Sequence, residues 1–149
     1  MKSSVTWVLL ADGTRAKVFQ HKGPGSGLRP VEDLKFEEEP LKAGEIMADR
    51  PGRAFSSVGS GRSAMEYSSD PVAVREANFV RRIAEELERR YQESAFSRLI
   101  IAAAPSALGT IRTALSDRVR QAVVTEMPKN LLHMSTPELE KHFGEILVM

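Results

Sequence analysis

The chain has 149 residues, which is the length of one domain with its own hydrophobic core, and we expect a single domain over residues 1–149. It contains no cysteine, which excludes disulfides, thiolate metal sites and a cysteine nucleophile. With 21 basic and 20 acidic residues the formal net charge is +1, so any case for nucleic-acid binding must come from a local cluster of charge.

The first apolar run, from Trp7 to Ala11, predicts a buried β-strand near the amino terminus. This run is five residues long, whereas a secretion signal needs an apolar stretch of about 7–15 residues. No stretch of the sequence approaches the roughly 20 apolar residues of a membrane helix. We therefore expect a cytoplasmic protein without a membrane partner.

Three strands are predicted before the middle of the chain, and the first covers Val5 to Leu10. Asp12-Gly13-Thr14 is a turn signal, and the alternation from Arg15 to Phe19 predicts a second strand antiparallel to the first. The third strand is predicted at Leu28 to Phe36. Its Pro30 has no amide hydrogen to donate, which favours a strand start or an edge position.

Residues 37–70 have a different composition. They are rich in glycine and serine and contain few large apolar residues, which predicts a loop of about thirty residues. Loops longer than about 12–15 residues in compact domains usually carry a function or lack order. This Gly/Ser/Arg loop is therefore the first candidate for a binding site.

The second half of the chain alternates helices with short strands. Asp70-Pro71 marks a helix start, and the apolar stripe after it predicts a helix to about Ser94. The later elements are a buried parallel strand at Arg98 to Ala104, a helix that opens at Pro105 and adds a last turn at Asp117 to Ala122, a strand at Val123 to Met127, and a closing helix that enters at Ser135. The helical positions expected to face the core are Val80, Ile83, Ala84, Leu87, Tyr91, Leu108, Ile111, Leu115, Leu139, Phe143, Ile146 and Leu147.

The predicted element order is β-β-β-α-β-α-β-α, with the long loop before the first helix. Three antiparallel strands followed by two right-handed crossovers predict an α/β fold with a mixed five-stranded sheet and helices on the sheet faces. The same element order is found in ribonuclease-H-like sheets and in the middle domain of archaeal and eukaryotic peptide-chain release factors. We therefore expect a fold of this type.

Several stretches together resemble the bacterial host-attachment protein family, the proteins required for attachment to host cells. The stretches that carry the resemblance are Trp7 to Asp12 running into Arg15 to Phe19, Asp49 to Phe55, Gly59 to Met65, Asp70-Pro71, and Leu131 to Glu140. They are spread over nearly the whole chain, and the paired motifs of the long loop are the more specific part.

This resemblance implies a fold similar to the release-factor middle domain, in which a Gly-Gly-Gln tripeptide promotes peptidyl-tRNA hydrolysis. The matching loop here holds Gly59-Ser60-Gly61-Arg62 and no glutamine, so we do not expect that hydrolysis. The resemblance implies a Gly-rich basic loop placed near RNA, with rRNA, tRNA or the ribosome as partner and an indirect effect on attachment.

The segment from Arg50 to Arg62 holds three arginines and no acid. Guanidinium groups offer planar paired donors to phosphate, and glycines let backbone amides come close. The predicted phosphate- or nucleic-acid-binding residues are Arg50, Arg53, Gly59, Ser60, Gly61, Arg62 and Ser63. The opposing interpretation is an unfolded Gly/Ser-rich loop, since the acids that flank the arginines make residues 40–70 neutral overall.

One alternative is a metal-dependent nuclease or phosphoesterase centred on Asp12, which follows a strand as catalytic carboxylates do. Such an enzyme needs further acids that converge on a divalent metal, and Glu76, Glu85 and Asp117 are the candidates. Asp-Gly is also a common hairpin turn, and this simpler interpretation is favoured.

A second alternative is a protein-interaction factor that binds no nucleic acid. None of His21, His133 and His142 has a partner at the spacing of a metal motif, and no nucleophile-elbow or dinucleotide fingerprint is present. We therefore expect no metal and no cofactor. The sequence leaves the oligomeric state open.

Overall fold

The structure is a computed structural model that describes residues 4–38 and 71–149. Its strands are β1 (Thr6–Ala11), β2 (Arg15–His21), β3 (Arg29–Glu37), β4 (Arg98–Ala103) and β5 (Val123–Met127). Its helices are α1 (Pro71–Gln92), α2 (Pro105–Ala114), α3 (Asp117–Ala122) and α4 (Thr136–His142), the last followed by a 3₁₀ turn (Phe143–Glu145). The predicted mixed five-stranded α/β architecture is confirmed, with one helix more than the predicted order.

The strands form one sheet in the order β3-β2-β1-β4-β5. β1 pairs with β2 in antiparallel and with β4 in parallel orientation, and Val8 lies opposite both Phe19 and Ile100. β4 is parallel to β5, and β3 is antiparallel to β2. β1 is thus the central strand, and all six of its residues are buried, as expected for a strand covered on both faces.

One face of the sheet is covered by α1, α2 and α3. Trp7, Leu9 and Ala11 of β1 point to this side, because alternate residues of a strand face opposite ways. The apolar stripe that α1 packs on the sheet consists of Phe79, Val80, Ile83, Ala84 and Leu87. Most of this stripe is the one expected from a 3.6-residue period.

The other face is covered by α4 and the segments on either side of it. Val8 and Leu10 of β1 point to this side, together with Ile100 of β4. They pack with Leu131, Leu132, Leu139, Phe143 and Leu147. α4 begins with the predicted capping box, in which the Ser135 hydroxyl accepts from the Glu138 amide and the Glu138 carboxylate accepts from the Ser135 amide.

Three predicted details are wrong. α3 is a separate helix because the backbone is extended at Leu115 and Ser116 caps a new start. α1 ends at Gln92, and Ser94 has a positive φ of 64°, which a helix cannot contain. Ile146 is 37% exposed because the closing helix gives way to a 3₁₀ turn, which changes the phase of the side chains.

Candidate functional site

The carboxyl ends of β1 and β4 lie side by side, where the Ala104 amide donates to the Ala11 carbonyl at 3.1 Å. From here β1 turns back into β2 on one side, and β4 continues through α2 and α3 to β5 on the other. In open α/β sheets, ligands bind outside the carboxyl ends of the parallel strands, where the strand order changes direction. This end of the sheet is the candidate functional site.

Asp12 lies at this end of the sheet, but its carboxylate closes its own turn. Its Oδ1 atom accepts hydrogen bonds from the amides of Thr14 and Arg15, both at 2.8 Å, and from the Thr14 hydroxyl at 3.3 Å. The Arg15 guanidinium lies 3.7 Å from Oδ2. Partial burial raises the pKa of Asp12, but these donors and the arginine outweigh it and hold the pKa below its usual value. The favoured prediction of a turn agrees with these contacts.

Of the other acids considered for a metal site, only Glu76 is placed near Asp12. It lies on α1 with its carboxylate against Gly13, where any Cβ would collide with it. Glu85 lines a groove beside β3, and Asp117 begins α3 and pairs with Arg120 at 3.6 Å. Within residues 4–38 and 71–149, no three His, Cys, Asp or Glu side chains are grouped so that they could hold a metal ion. The described acids therefore do not converge as a metal-dependent nuclease requires.

Two of the three histidines, His21 and His142, make structural contacts. His21 is buried on β2, and its Nε2–H donates to the Val148 carbonyl at 2.8 Å, which ties the last described residues to the sheet. The His142 ring meets Phe143 edge-on, with the ring centres 5.2 Å apart.

The residues predicted to bind phosphate, Arg50, Arg53, Gly59, Ser60, Gly61, Arg62 and Ser63, lie outside the described residues, as does Asp70. The structure does describe the two ends of the segment that contains them. The Glu38 amide donates to the Thr14 carbonyl at 2.7 Å, which places the end of β3 beside the β1–β2 turn. At the other end Glu76, in the second turn of α1, packs on Gly13 of the same turn.

The side chain of Glu38 joins the two ends directly. Its carboxylate accepts from Arg75 at 2.8 Å and also pairs with Arg82, both on α1. Further along, Arg90 of α1 pairs with Asp33 of β3 at 2.6 Å, and this bond lowers the pKa of Asp33. Ion pairs therefore tie β3 to α1 on both sides of an open groove of about 460 Å³.

The sequence interpretation missed this cluster. One pattern in the sequence could have indicated it. Arg75, Arg82 and Arg89 are spaced seven residues apart, which is about two helical turns, so they lie on one face of the helix.

Residues 7–143 match the model of a protein family described as "Protein required for attachment to host cells". The chain belongs to this family. The match includes all four helices and all five strands except Thr6, the first residue of β1. The resemblance to this family that the sequence motifs predicted is therefore confirmed. Among curated proteins none matches this family member in sequence.

A solved structure titled "Archaeal protein" is similar to this family member in fold, with a TM-score of 0.52 at 11% sequence identity. The similarity covers 95% of the present chain but only 33% of the archaeal one, so the chain spans about a third of that protein's length. This comparison supports the fold alone. In the part of the chain that the structure describes, no helix is long and apolar enough to cross a membrane.

Proposed function

We propose that this member of the host-attachment family is a cytoplasmic RNA-binding module, associated with the ribosome or its RNAs, that acts through residues 50–65. The observation that carries the proposal is the position of the segment's two ends. Glu38 and the first turns of α1 both contact the turn at residues 12–14, at the end of the sheet where open α/β sheets bind ligands. The effect on host attachment is then indirect.

The chemistry of the segment fits the phosphate backbone of RNA. Its three arginines and the intervening glycines suit phosphate contacts, and phosphate contacts dominate the affinity of nucleic-acid binding. The described acids offer no competing site, because Asp12 is satisfied by its own turn.

The test is a salt titration of RNA binding by the wild type and by a variant with Arg50, Arg53 and Arg62 replaced by alanine. If three phosphates are neutralised, the wild-type slope of log affinity against log salt is about −2 to −3. The triple variant should lose binding, and thermal melts of both proteins distinguish a loss of binding from a loss of folding.

A matched control removes three positive charges elsewhere. Lys22, Arg29 and Arg98 are exposed and lie at the opposite end of the sheet, where β1 begins. Their replacement by alanine should leave the affinity and the slope near the wild-type values. If the wild type binds no RNA at low salt, or if both triple variants bind equally, the proposal is refuted and a protein-interaction role is favoured.

Association with the ribosome is tested by co-sedimentation. The wild type should sediment with ribosomes at low salt and be released by high salt, because its contacts with phosphate are electrostatic. The Arg50/Arg53/Arg62 variant should remain in the supernatant at both salt concentrations.

A further inference from the structure

One carboxylate, that of Glu38, holds two arginines of α1 at the base of the proposed RNA-binding segment. The three side chains remain accessible to solvent, with exposed fractions of 23% for Glu38, 34% for Arg75 and 53% for Arg82. A ligand can therefore reach this cluster without unfolding the core.

The arrangement of the two arginines is one that suits an anion. Arg75 and Arg82 are seven residues apart and lie on one face of α1, directed at the same acceptor group. The Arg82 guanidinium also lies over the ring of Phe79, 5.5 Å from its centre, which fixes its orientation. Convergent guanidinium donors bind phosphate oxygens as readily as carboxylate oxygens.

We propose that Arg75 and Arg82 form a second phosphate-binding site, and that Glu38 occupies it as an internal competitor until an RNA phosphate displaces the carboxylate. The proposal rests on the proposed RNA-binding function for the identity of the ligand. It adds Arg75 and Arg82 to the RNA-contact surface, and it makes Glu38 a competitor that weakens RNA binding.

The exchange needs only a side-chain rotation. The Glu38 backbone is held by the Thr14 carbonyl, so the carboxylate can leave the arginines while the end of β3 stays in place. Exposed ion pairs are weak and screened by salt. A phosphate of an RNA already bound by the adjacent segment has a high effective concentration and competes well.

The first experiment measures RNA affinity and its salt slope for Glu38→Gln. The change removes the competitor, so RNA should bind several-fold more tightly, with a slope close to that of the wild type, because the same phosphates are contacted in both complexes. Glu37→Gln is the matched control, because it removes the same charge from the exposed neighbouring residue. It should leave the affinity near the wild-type value.

If Glu38 serves only as an anchor, Glu38→Gln will bind RNA more weakly than Glu37→Gln, and this result overturns the proposal. A second variant, Arg75→Gln/Arg82→Gln, keeps the test valid should Glu38→Gln fold poorly. It should reduce the wild-type slope by about 1 or more, and an unchanged slope also overturns the proposal.

A separate experiment needs no RNA and uses inorganic pyrophosphate as the probe. Pyrophosphate should raise the melting temperature of Glu38→Gln more than that of Glu37→Gln or of a Glu38→Gln/Arg75→Gln/Arg82→Gln variant, since those two have only the arginines of the segment to bind it. If this pattern is found while the wild type binds no RNA, the anion site stands and the proposed function fails. Equal responses from Glu38→Gln and Glu37→Gln refute the site, whatever RNA does.

Discussion

Replacing Ile101 by alanine tests the central claim about the core. Ile101 lies in the middle of β4, opposite Leu9 of β1 on one side and Glu126 of β5 on the other. Its side chain is fully buried against the layer formed by α1, α2 and α3. We expect this single change to be among the most destabilising in the described part of the chain.

The magnitude follows from the carbons removed. Three buried carbons at about 0.8 kcal/mol each account for about 2.4 kcal/mol of lost transfer free energy. A residual cavity adds to this, because β4 is hydrogen-bonded on both sides and cannot move inward. The free energy of unfolding should fall by about 2–5 kcal/mol, and the melting temperature by roughly 5–15 °C.

The assay is urea unfolding followed by tryptophan fluorescence. Trp7 is the only tryptophan, is buried, and stacks on Phe96 with ring centres 4.7 Å apart, so its emission reports this core directly. Ile101→Val should cost about 0.5–1.5 kcal/mol, and Val124→Ala, at an exposed site, less than about 0.5 kcal/mol. A loss below about 1 kcal/mol for Ile101→Ala would show that the strand is misplaced.

Three further predictions concern local features, and thermal melts check each of them. Ser135→Ala removes the cap of α4 and should lower stability by about 1 kcal/mol, whereas a change near zero would contradict the capping box. Gly27→Ala should cost more than about 1 kcal/mol, because φ is 67° there and the new Cβ would lie 2.5 Å from the Glu140 carboxylate. The lowered pKa of Asp12 stabilises the fold at neutral pH, and this stabilisation is lost as the pH falls below about 4 through the folded-state pKa. Asp12→Asn should therefore be less stable than the wild type at pH 7, by a difference that shrinks at pH 2.5, and an equal difference at both pH values would contradict the assignment.

The sequence predicted the elements that depend on local pattern. The stripe Val80, Ile83, Ala84 and Leu87 is buried as the helical period requires, and the apolar run of β4 is a central parallel strand. Pro105 and the Ser135 capping box mark helix starts in the structure, because proline and capping residues act through the first turn alone.

Features that depend on distant partners could not be predicted in this way. Glu38 lies 37 residues from Arg75 and 44 from Arg82, and no local pattern reveals which acid the arginines of α1 meet. The position of Glu76 against Gly13 likewise depends on how α1 crosses the sheet. Ile146 is exposed because the chain after α4 forms a 3₁₀ turn, whereas the apolar residues of the sequence continue at the spacing of an α-helix.

The net charge of +1 does not argue against binding to a polyanion, because exposed charges act over about 8–10 Å in physiological salt. Binding therefore depends on which charged side chains lie within that distance of the bound phosphates. The two triple variants proposed above both lower the formal net charge by three, yet one removes arginines of the segment and the other removes charges at the far end of the sheet. If total charge governed binding, both variants would lose the same affinity. If the arginines of the segment themselves bind the RNA, only the Arg50/Arg53/Arg62 variant will lose affinity, and Glu38→Gln, which raises the charge by one beside the described end of the segment, will strengthen binding.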